Sequence, residues 1–300
     1  MIIILGKNGA GKSYLLGRLA EKGFCRVVGY TTRPMRPKEV DGSDYFFVTK
    51  EKFEELIAQG FFVEHKKLGE NYYGTPKDAI NSHSVMIAGN VADLKKLTAE
   101  EIIPIFVNAS IDQRYHRVLR RKSTEEEIFK RFHGESFKYL DKFHGFFIDN
   151  EKENDAALGE LLSLFNADGE VLSKEKMKDN EEFLKDYIKS FKRSELSNVK
   201  DPMLLYFKYE EYLMRLLSLE NFARVEDLRS AYFDNMKRFM EDFNLKFEEK
   251  DGELFVTFNK IAHNISFDNE KVGKMLGMEW WYETVYFFRY SWNCDKFGKT

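Results

Sequence analysis

Three hundred residues, 43% hydrophobic and 32% charged, describe a folded globular chain and exclude a disordered or collagen-like one. A net charge of −3, with neither half of the chain basic, argues against the electrostatic footprint of a nucleic-acid binder. The only cysteines, Cys25 and Cys294, supply no disulfide framework and no zinc spacing, and no apolar run approaches the ~20 residues of a membrane span.

In chain order, Ile2–Leu5 reads as a short buried strand, Gly6–Gly11 as a loop, and Lys12–Ala20 as a helix with apolar residues at helical spacing. The apolar start meets glycines at once, which is not the pattern of a signal peptide, so a cytoplasmic protein is expected. The loop reads GKNGAGKS: Gly6, Lys7, Asn8, Gly9, Ala10, Gly11, Lys12 and Ser13. Strand, glycine loop and helix in this order make a polyphosphate site. The glycines let backbone N–H groups converge on phosphate oxygens, and the helix presents its positive end. Lys12 is expected to bridge the terminal phosphates and Ser13 to offer its hydroxyl to Mg²⁺. This motif alone leaves an ATPase, a GTPase and a small-molecule kinase open.

Apolar runs at Arg26–Tyr30, Ser84–Ala88 and Ile102–Asn108, separated by helical patterns, predict parallel strands in an α/β sheet. Arg33 and Arg36 lie three apart in a proline-held segment after the second run, where guanidinium forks suit phosphate recognition. Glu51–Gln59 has a helix pattern. "FFVEHKKLGENYYGT" then adds Glu64, Tyr72, Tyr73 and Thr75. A carboxylate can accept two N–H bonds from a purine edge, and a phenol can donate to phosphate. Arg114–Phe132 is a highly charged helical stretch, interrupted near "RRKST", in which His116 and His133 are expected to be exposed. "HGFFIDN" (His144–Asn150) reads as a last strand and Asp155–Phe165 as a closing helix.

The pattern breaks at Asn166–Gly169, which predicts two domains, 1–166 and 170–300, separable near Asp168. In the second, Asp201-Pro202 starts a helix running to about Glu220, and another spans about Val225 to Phe243. Lys246–Phe258 reads as a hairpin turning at Asp251-Gly252, so this domain is expected to be mainly α with a β-hairpin. The aromatic run Met278–Trp292 holds a single basic residue, Arg289, and is expected to be core.

"GKNGAGKS", "YTTRPMRPKEVDGSDYFFVTKEKFEELIAQGFFVEHKKLGENYYGT" and "RRKSTEEEIFKRF" together resemble the guanylate kinase family over roughly residues 1–165. The resemblance implies a parallel-sheet core with an inserted β-rich monophosphate subdomain and a lid. It also implies ATP and Mg²⁺ on the donor side, and GMP or dGMP as acceptor. Arg33, Arg36, Tyr45 and Tyr73 then look like ligands of the GMP phosphate, Glu64 the acceptor of guanine N–H groups, and Thr75 a further base contact. Arg120 and Arg131 look like lid arginines that act with Lys12 on the transferring phosphoryl group.

Two departures stand out. The family's serine before Thr-Thr-Arg is replaced, since the segment reads Val28-Gly29-Tyr30. The family's Asp-x-Asp strand end is missing from Ser84–Lys96, where Asn90 or Asp93 is a candidate substitute. The expected partners are small nucleotides, with no nucleic acid and no membrane, and the C-terminal domain is open to a protein partner. Two rival readings remain: a kinase for another or modified nucleotide, and a non-catalytic binding module.

Overall fold

The chain is described by a computed structural model covering residues 1–36, 39–68, 70–80, 83–87, 102–136, 144–151, 155–166, 171–172, 174–220, 222 and 224–267. Asn90, Asp93, residues 167–169 and the aromatic run 278–292 lie outside these described residues. The described chain begins with β1 (Ile2–Leu5), α1 (Lys12–Glu21), β2 (Cys25–Arg26), β3 (Tyr30–Thr31), β4 (Phe46–Phe47) and α2 (Lys50–Ala58). It continues through β5 (Phe62–Leu68), β6 (Asn71–Pro76), β7 (Ser84–Ile87), β8 (Ile103–Asn108), α3 (Ile111–Leu119) and α4 (Glu125–Ser136). After β9 (His144–Asp149) and α5 (Ala156–Leu162) come β10 (Lys178–Asp179), α6 (Asn180–Ser190), α7 (Pro202–Ser218) and α8 (Val225–Asp242). The last elements are β11 (Phe247–Lys250), β12 (Glu253–Phe258) and β13 (Ile261–Asn264).

Four apolar residues in a row make β1 a strand that must be covered on both faces. It pairs in parallel with β7 on one side and β8 on the other, inside a six-stranded sheet ordered β10-β9-β8-β1-β7-β2. Ile2, Ile4, Val85, Ile105, Val107, Phe146 and Ile148 share one buried core with Leu15, Leu16 and Leu19 of α1 and Leu158 and Leu161 of α5. The amphipathic pattern read from Lys12 to Ala20 is therefore the face that covers this sheet.

A second sheet, β4-β3-β6-β5, carries its own small core of Phe53, Leu56 and Phe62. Phe53 stacks on Phe62 at 4.6 Å and on Tyr72 at 5.4 Å. The single strand expected over Arg26–Tyr30 is instead two short ones in different sheets. Arg26 pairs with Val85 in the large sheet, whereas Tyr30 pairs with Gly74 and Phe46 in the small one. Arg26 is exposed, Val27 is buried and Val28 and Tyr30 are half-buried, so the apolar run marks covered residues between the two ladders and not one ladder spanning it.

The described residues fall into two compact units: Met1–Ala109 with His144–Lys178, and Ser110–Phe143 with Asp179–Thr300. This division departs from the boundary expected at residues 166–169. The charged stretch after Arg114 becomes α3 and α4, whose apolar residues Ile111, Tyr115, Val118, Ile128, Phe129 and Phe132 are buried with α7 and α8. Twelve of the 17 residues of α7 are buried, so it is a central helix covered on all sides rather than a surface helix. The expected hairpin is present with Asp251 and Gly252 both at positive φ, but β13 extends it to a three-stranded antiparallel sheet. Its second turn uses Asn259 and Lys260 at positive φ, without the glycine that marks such turns in a sequence.

A chain cut at residue 168 would leave those six buried side chains of α3 and α4 without their cover, at about 1.5–3 kcal/mol each. That sum rivals the whole stability of a domain. The expected outcome for such a truncation is therefore aggregation or strong binding of a hydrophobic dye, not the clean separability suggested by the sequence. A soluble, cooperatively melting 1–168 fragment would overturn this expectation.

Candidate functional site

The turn from β1 into α1 is built with almost no spare room. Gly6 has φ 142°, and a Cβ there would sit 2.5 Å from the Val107 carbonyl oxygen at the end of β8. Gly11, the residue capping α1, has φ 100°, and a Cβ there would collide with the Asn150 side-chain amide just after β9. Gly9 also takes a positive φ, 78°. Asn150 is buried, and its Nδ2 donates to the Ala10 carbonyl at 2.7 Å, so it props the loop from beneath. Lys12 folds over the loop, its Nζ donating to the carbonyls of Gly6 at 2.6 Å and Lys7 at 2.9 Å. Ser13 is exposed in the first turn of α1. A glycine turn, a helix N-terminus and an ammonium group thus converge after β1, an arrangement that suits an oxyanion chain.

The second cluster lies on the small sheet. Thr31 is fully buried; its hydroxyl donates to the Tyr72 carbonyl at 2.9 Å and accepts from the Arg33 backbone N–H at 3.2 Å. The Thr32 hydroxyl accepts from the Tyr72 N–H at 2.9 Å. These three bonds fix the strand that launches Arg33. Its guanidinium then lies 5.7 Å from the Tyr45 ring and 5.5 Å from the Phe47 ring, while Tyr45 and Tyr73 meet edge-on at 6.0 Å. Arg33, Tyr45 and Tyr73 are thus brought together as the sequence suggested, and Arg36 is exposed close by in the chain.

Glu39 was not foreseen. It grips Arg33 with both oxygens, at 2.8 and 3.0 Å, and its Oε2 also accepts from the Arg36 backbone N–H at 2.7 Å. The bond to Glu39 raises the Arg33 pKa above its ordinary value, and Tyr73 adds to the rise. Arg33 in turn holds the Glu39 carboxyl below the usual range. Burial pushes the Tyr45 phenol up, so it stays a proton donor at neutral pH.

Glu64 sits where the pairing of β5 with β6 shifts register. Its Oε1 accepts from the Thr75 hydroxyl at 2.6 Å, while its Oε2 is buried and has no hydrogen-bond partner among the described residues. An orphaned buried acceptor costs about 1–3 kcal/mol, so this oxygen is open to a donor that the described residues do not provide. Gly29 lies nearby, its missing Cβ 3.2 Å from the Gly74 carbonyl and 3.6 Å from Tyr45 Cε1.

Arg120 and Arg131 belong to the second compact unit. Arg120 follows the last residue of α3, and Arg131 on α4 donates to the Ser123 hydroxyl at 3.4 Å. His116 is exposed as expected, but His133 is not: it is buried, with Nδ1 2.6 Å from Glu210. Charge density along the stretch hid it, because the partner lies 77 residues away. The same distance effect concealed Asn150, which bonds to Ala10 140 residues back, whereas the partners of Glu39, Arg33 and Arg36, are close in sequence and its role was simply overlooked.

A sequence model described as guanylate kinase matches residues 1–167. The guanylate kinase of Wolbachia pipientis wMel is 31% identical over 189 residues, covering 59% of this chain and 94% of its own. That of Clostridioides difficile strain 630 is 34% identical over 164 residues, 50% of this chain and 80% of its own. The human guanylate kinase is 36% identical over 144 residues, 43% and 72% respectively. Among solved structures, the guanylate kinase of Anaplasma phagocytophilum aligns over 54% of this chain and 84% of its own. Its TM-score is 0.40 at 24% identity.

The tightness around Gly11 makes a two-step prediction. Gly11→Ala should weaken triphosphate binding by roughly tenfold, from backbone strain of about 1–3 kcal/mol plus the collision with Asn150. Adding Asn150→Ala should recover part of the loss by removing the colliding amide. Calorimetric titration with ATP checks both, and a Gly11→Ala variant that binds normally would mean the loop has room to spare.

Proposed function

The chain belongs to the guanylate kinase family, and we propose that it transfers the γ-phosphoryl group of ATP to GMP or dGMP. The observation that carries the acceptor side is the buried, unpartnered Glu64 Oε2 beside Thr75. A purine with adjacent ring and exocyclic N–H donors satisfies it, and adenine, which lacks that pair, does not. On this reading Arg33, Arg36, Tyr45 and Tyr73 hold the monophosphate, with the base directed to Glu64 and Thr75.

On the donor side, the loop Gly6–Ser13 holds the triphosphate, and Lys12 turns from the carbonyls it now contacts to the phosphates. Bound with ATP, Mg²⁺ neutralises phosphate charge. Ser13 is the one protein oxygen we assign to it, in keeping with an ion that keeps several waters and phosphate ligands. An acceptor phosphate oxygen attacks the γ-phosphorus as the bond to the bridging oxygen of ADP breaks, giving ADP and a nucleoside diphosphate. Such a transfer needs alignment and neutralised oxygens more than a covalent catalyst, and Arg120 and Arg131 are assigned to that neutralisation. We place the protein in the cytoplasm, in keeping with its nucleotide substrates. No helix among the described residues is long and apolar enough to cross a membrane.

A relaxed base preference is the second reading, and Gly29 favours it. No side chain at this position reaches the base, and a serine there must push the Gly74 carbonyl by a few tenths of an ångström. The other candidate substitutes, Asn90 and Asp93, lie outside the described residues.

Lys12→Ala should abolish turnover while leaving the melting temperature nearly unchanged, because Lys12 serves phosphates and lies at the surface of the fold. Tyr73→Phe and Arg36→Ala should raise the KM for GMP far more than that for ATP, each by the equivalent of about 1.5–3 kcal/mol. An equal rise for ATP in steady-state assays would show that the acceptor cluster has been misassigned.

With Glu64 carrying most of the base contact, kcat/KM should favour GMP over AMP by a margin about 1–3 kcal/mol smaller than full guanine recognition provides. Gly29→Ser should win back part of it. A several-thousandfold preference in the unaltered chain would mean that other residues have rebuilt the missing contacts.

A further inference from the structure

The proposed reaction uses Arg120 and Arg131, yet neither sits in the unit that contains the phosphate loop. The helices that bear them are held by charged and aromatic side chains of the same unit. Glu210 and Glu211 are consecutive on α7 and both buried, at 0% and 4% exposure. Neighbours on a helix point in different directions, so the two carboxylates serve different helices. Glu211 pairs with Arg114 of α3, a side chain itself 2% exposed, and with Arg215 one turn along α7 at 2.5 Å. Glu210 takes His133 of α4 at 2.6 Å, and its same oxygen accepts from Tyr206 at 3.0 Å and Tyr232 at 2.5 Å.

Further bonds grip the same two helices. Lys208 of α7 pairs with Asp112 at the start of α3 at 2.6 Å, and the Tyr115 hydroxyl donates to Asp201 at 3.0 Å. At the start of α4, Glu125 meets His263 at 3.0 Å and Asn259 at 2.7 Å. Further along α4, His133 Nε2 lies 3.0 Å from the Ser266 carbonyl oxygen.

Apolar packing alone would bury α3 and α4 against α7. It would leave each helix free to slide or turn by small amounts, since apolar contact is non-directional. Buried ion pairs are an inefficient source of stability, because desolvation offsets the attraction; their best-attested use is to specify register. Arg120 lies six residues beyond Arg114 on the α3 segment, and Arg131 two residues before His133 on α4. Fixing the axial and rotational position of both helices therefore fixes both arginines.

We propose that α7 is an anchor for the arginine-bearing helices, with Glu210 and Glu211 as positioning residues for phosphoryl transfer. This rests on the kinase reading above. It gives the C-terminal half a role in the reaction: residues 179–267 complete the body that presents Arg120 and Arg131.

The test replaces the buried triad with apolar residues in the full-length chain: Arg114→Met, Glu211→Leu and Arg215→Leu together. Such replacement is often neutral or stabilising for the fold. A positioning role predicts a retained or raised melting temperature. It also predicts kcat lower on the order of 10- to 100-fold, the scale of an ångström-sized misplacement, with GMP and ATP affinities unchanged. A milder variant, Tyr115→Phe with Lys208→Met, removes two α3–α7 bonds at the edge of the interface and covers the case in which the triple variant misfolds. It should lower kcat severalfold at unchanged KM. Full kcat in either folded variant overturns the anchor and leaves a purely structural role. Absence of turnover in the unaltered chain with any nucleoside monophosphate sinks the kinase reading itself, and the anchor with it.

Discussion

Steric exclusion at the end of β1 is the constraint on which the proposed donor site depends. Gly6 lies against the Val107 carbonyl and Gly11 against the Asn150 amide, so the loop is pressed onto the ends of β8 and β9 with no volume for a side chain. Glycine is needed here because of closeness as much as positive φ. The registers of β1 with β8, Ile2 opposite Ile103 through Leu5 opposite Phe106, set how far each strand end projects. A slip in that ladder would move the floor of the loop and flip the faces of the central strand. The core of Ile2, Ile4, Val107 and Ile148 therefore holds the chemistry as well as the fold.

The small sheet obeys a different logic. Its strands are short, and its order depends on hydroxyl-to-backbone bonds from Thr31 and Thr32 to Tyr72 and on stacked aromatics around Phe53. Gly74 is required by that stack, since a Cβ there would press on both Phe62 and Phe53. Rings on one face thus position Tyr73 and Thr75, whose sequence neighbours lie in the core. Glu64 gains its buried setting from the register shift after Phe62, where an extra residue re-aims the side chain.

How much of this was legible in the sequence follows from the range of each interaction. The glycine loop is contiguous, and its strand, glycines and helix are neighbours, so its local structure could be read whole. Glu64 and Thr75 could be singled out by residue chemistry and the family resemblance, but that they bond to each other emerges only from the pairing of β5 with β6. Asn150 was seen only as the end of a strand, because it acts on Ala10, 140 residues back. The burial of His133 and the union of α3 and α4 with the C-terminal half were equally invisible. Arg114, Asp112 and Glu125 read as solvated charges until Glu211, Lys208 and His263 supply their partners. A charged helical stretch looks exposed whenever the charges that neutralise it lie far along the chain. The split of Arg26–Tyr30 between two sheets is a subtler case, since hydrophobic pattern reports burial and not which ladder provides it.

The acceptor cluster also shows how charge can be divided between geometry and attraction. Arg33 and Arg36 are two cations, and Glu39 cancels one of them through a two-pronged pair with Arg33. That pair keeps Arg33 ordered between the Tyr45 and Phe47 rings before any anion arrives, so little conformational freedom remains to be lost on binding. The same carboxylate would repel a phosphate dianion, and on the proposed reading the phenol hydroxyls of Tyr45 and Tyr73 add hydrogen bonds but no charge to that balance. Net attraction must then come chiefly from Arg36, which is exposed and has no carboxylate paired with its side chain among the described residues. On the proposed reading the two arginines are therefore not equivalent, although the sequence presents them as a matched pair. Arg33 supplies a fixed direction for the phosphate, and Arg36 supplies the charge that draws it in.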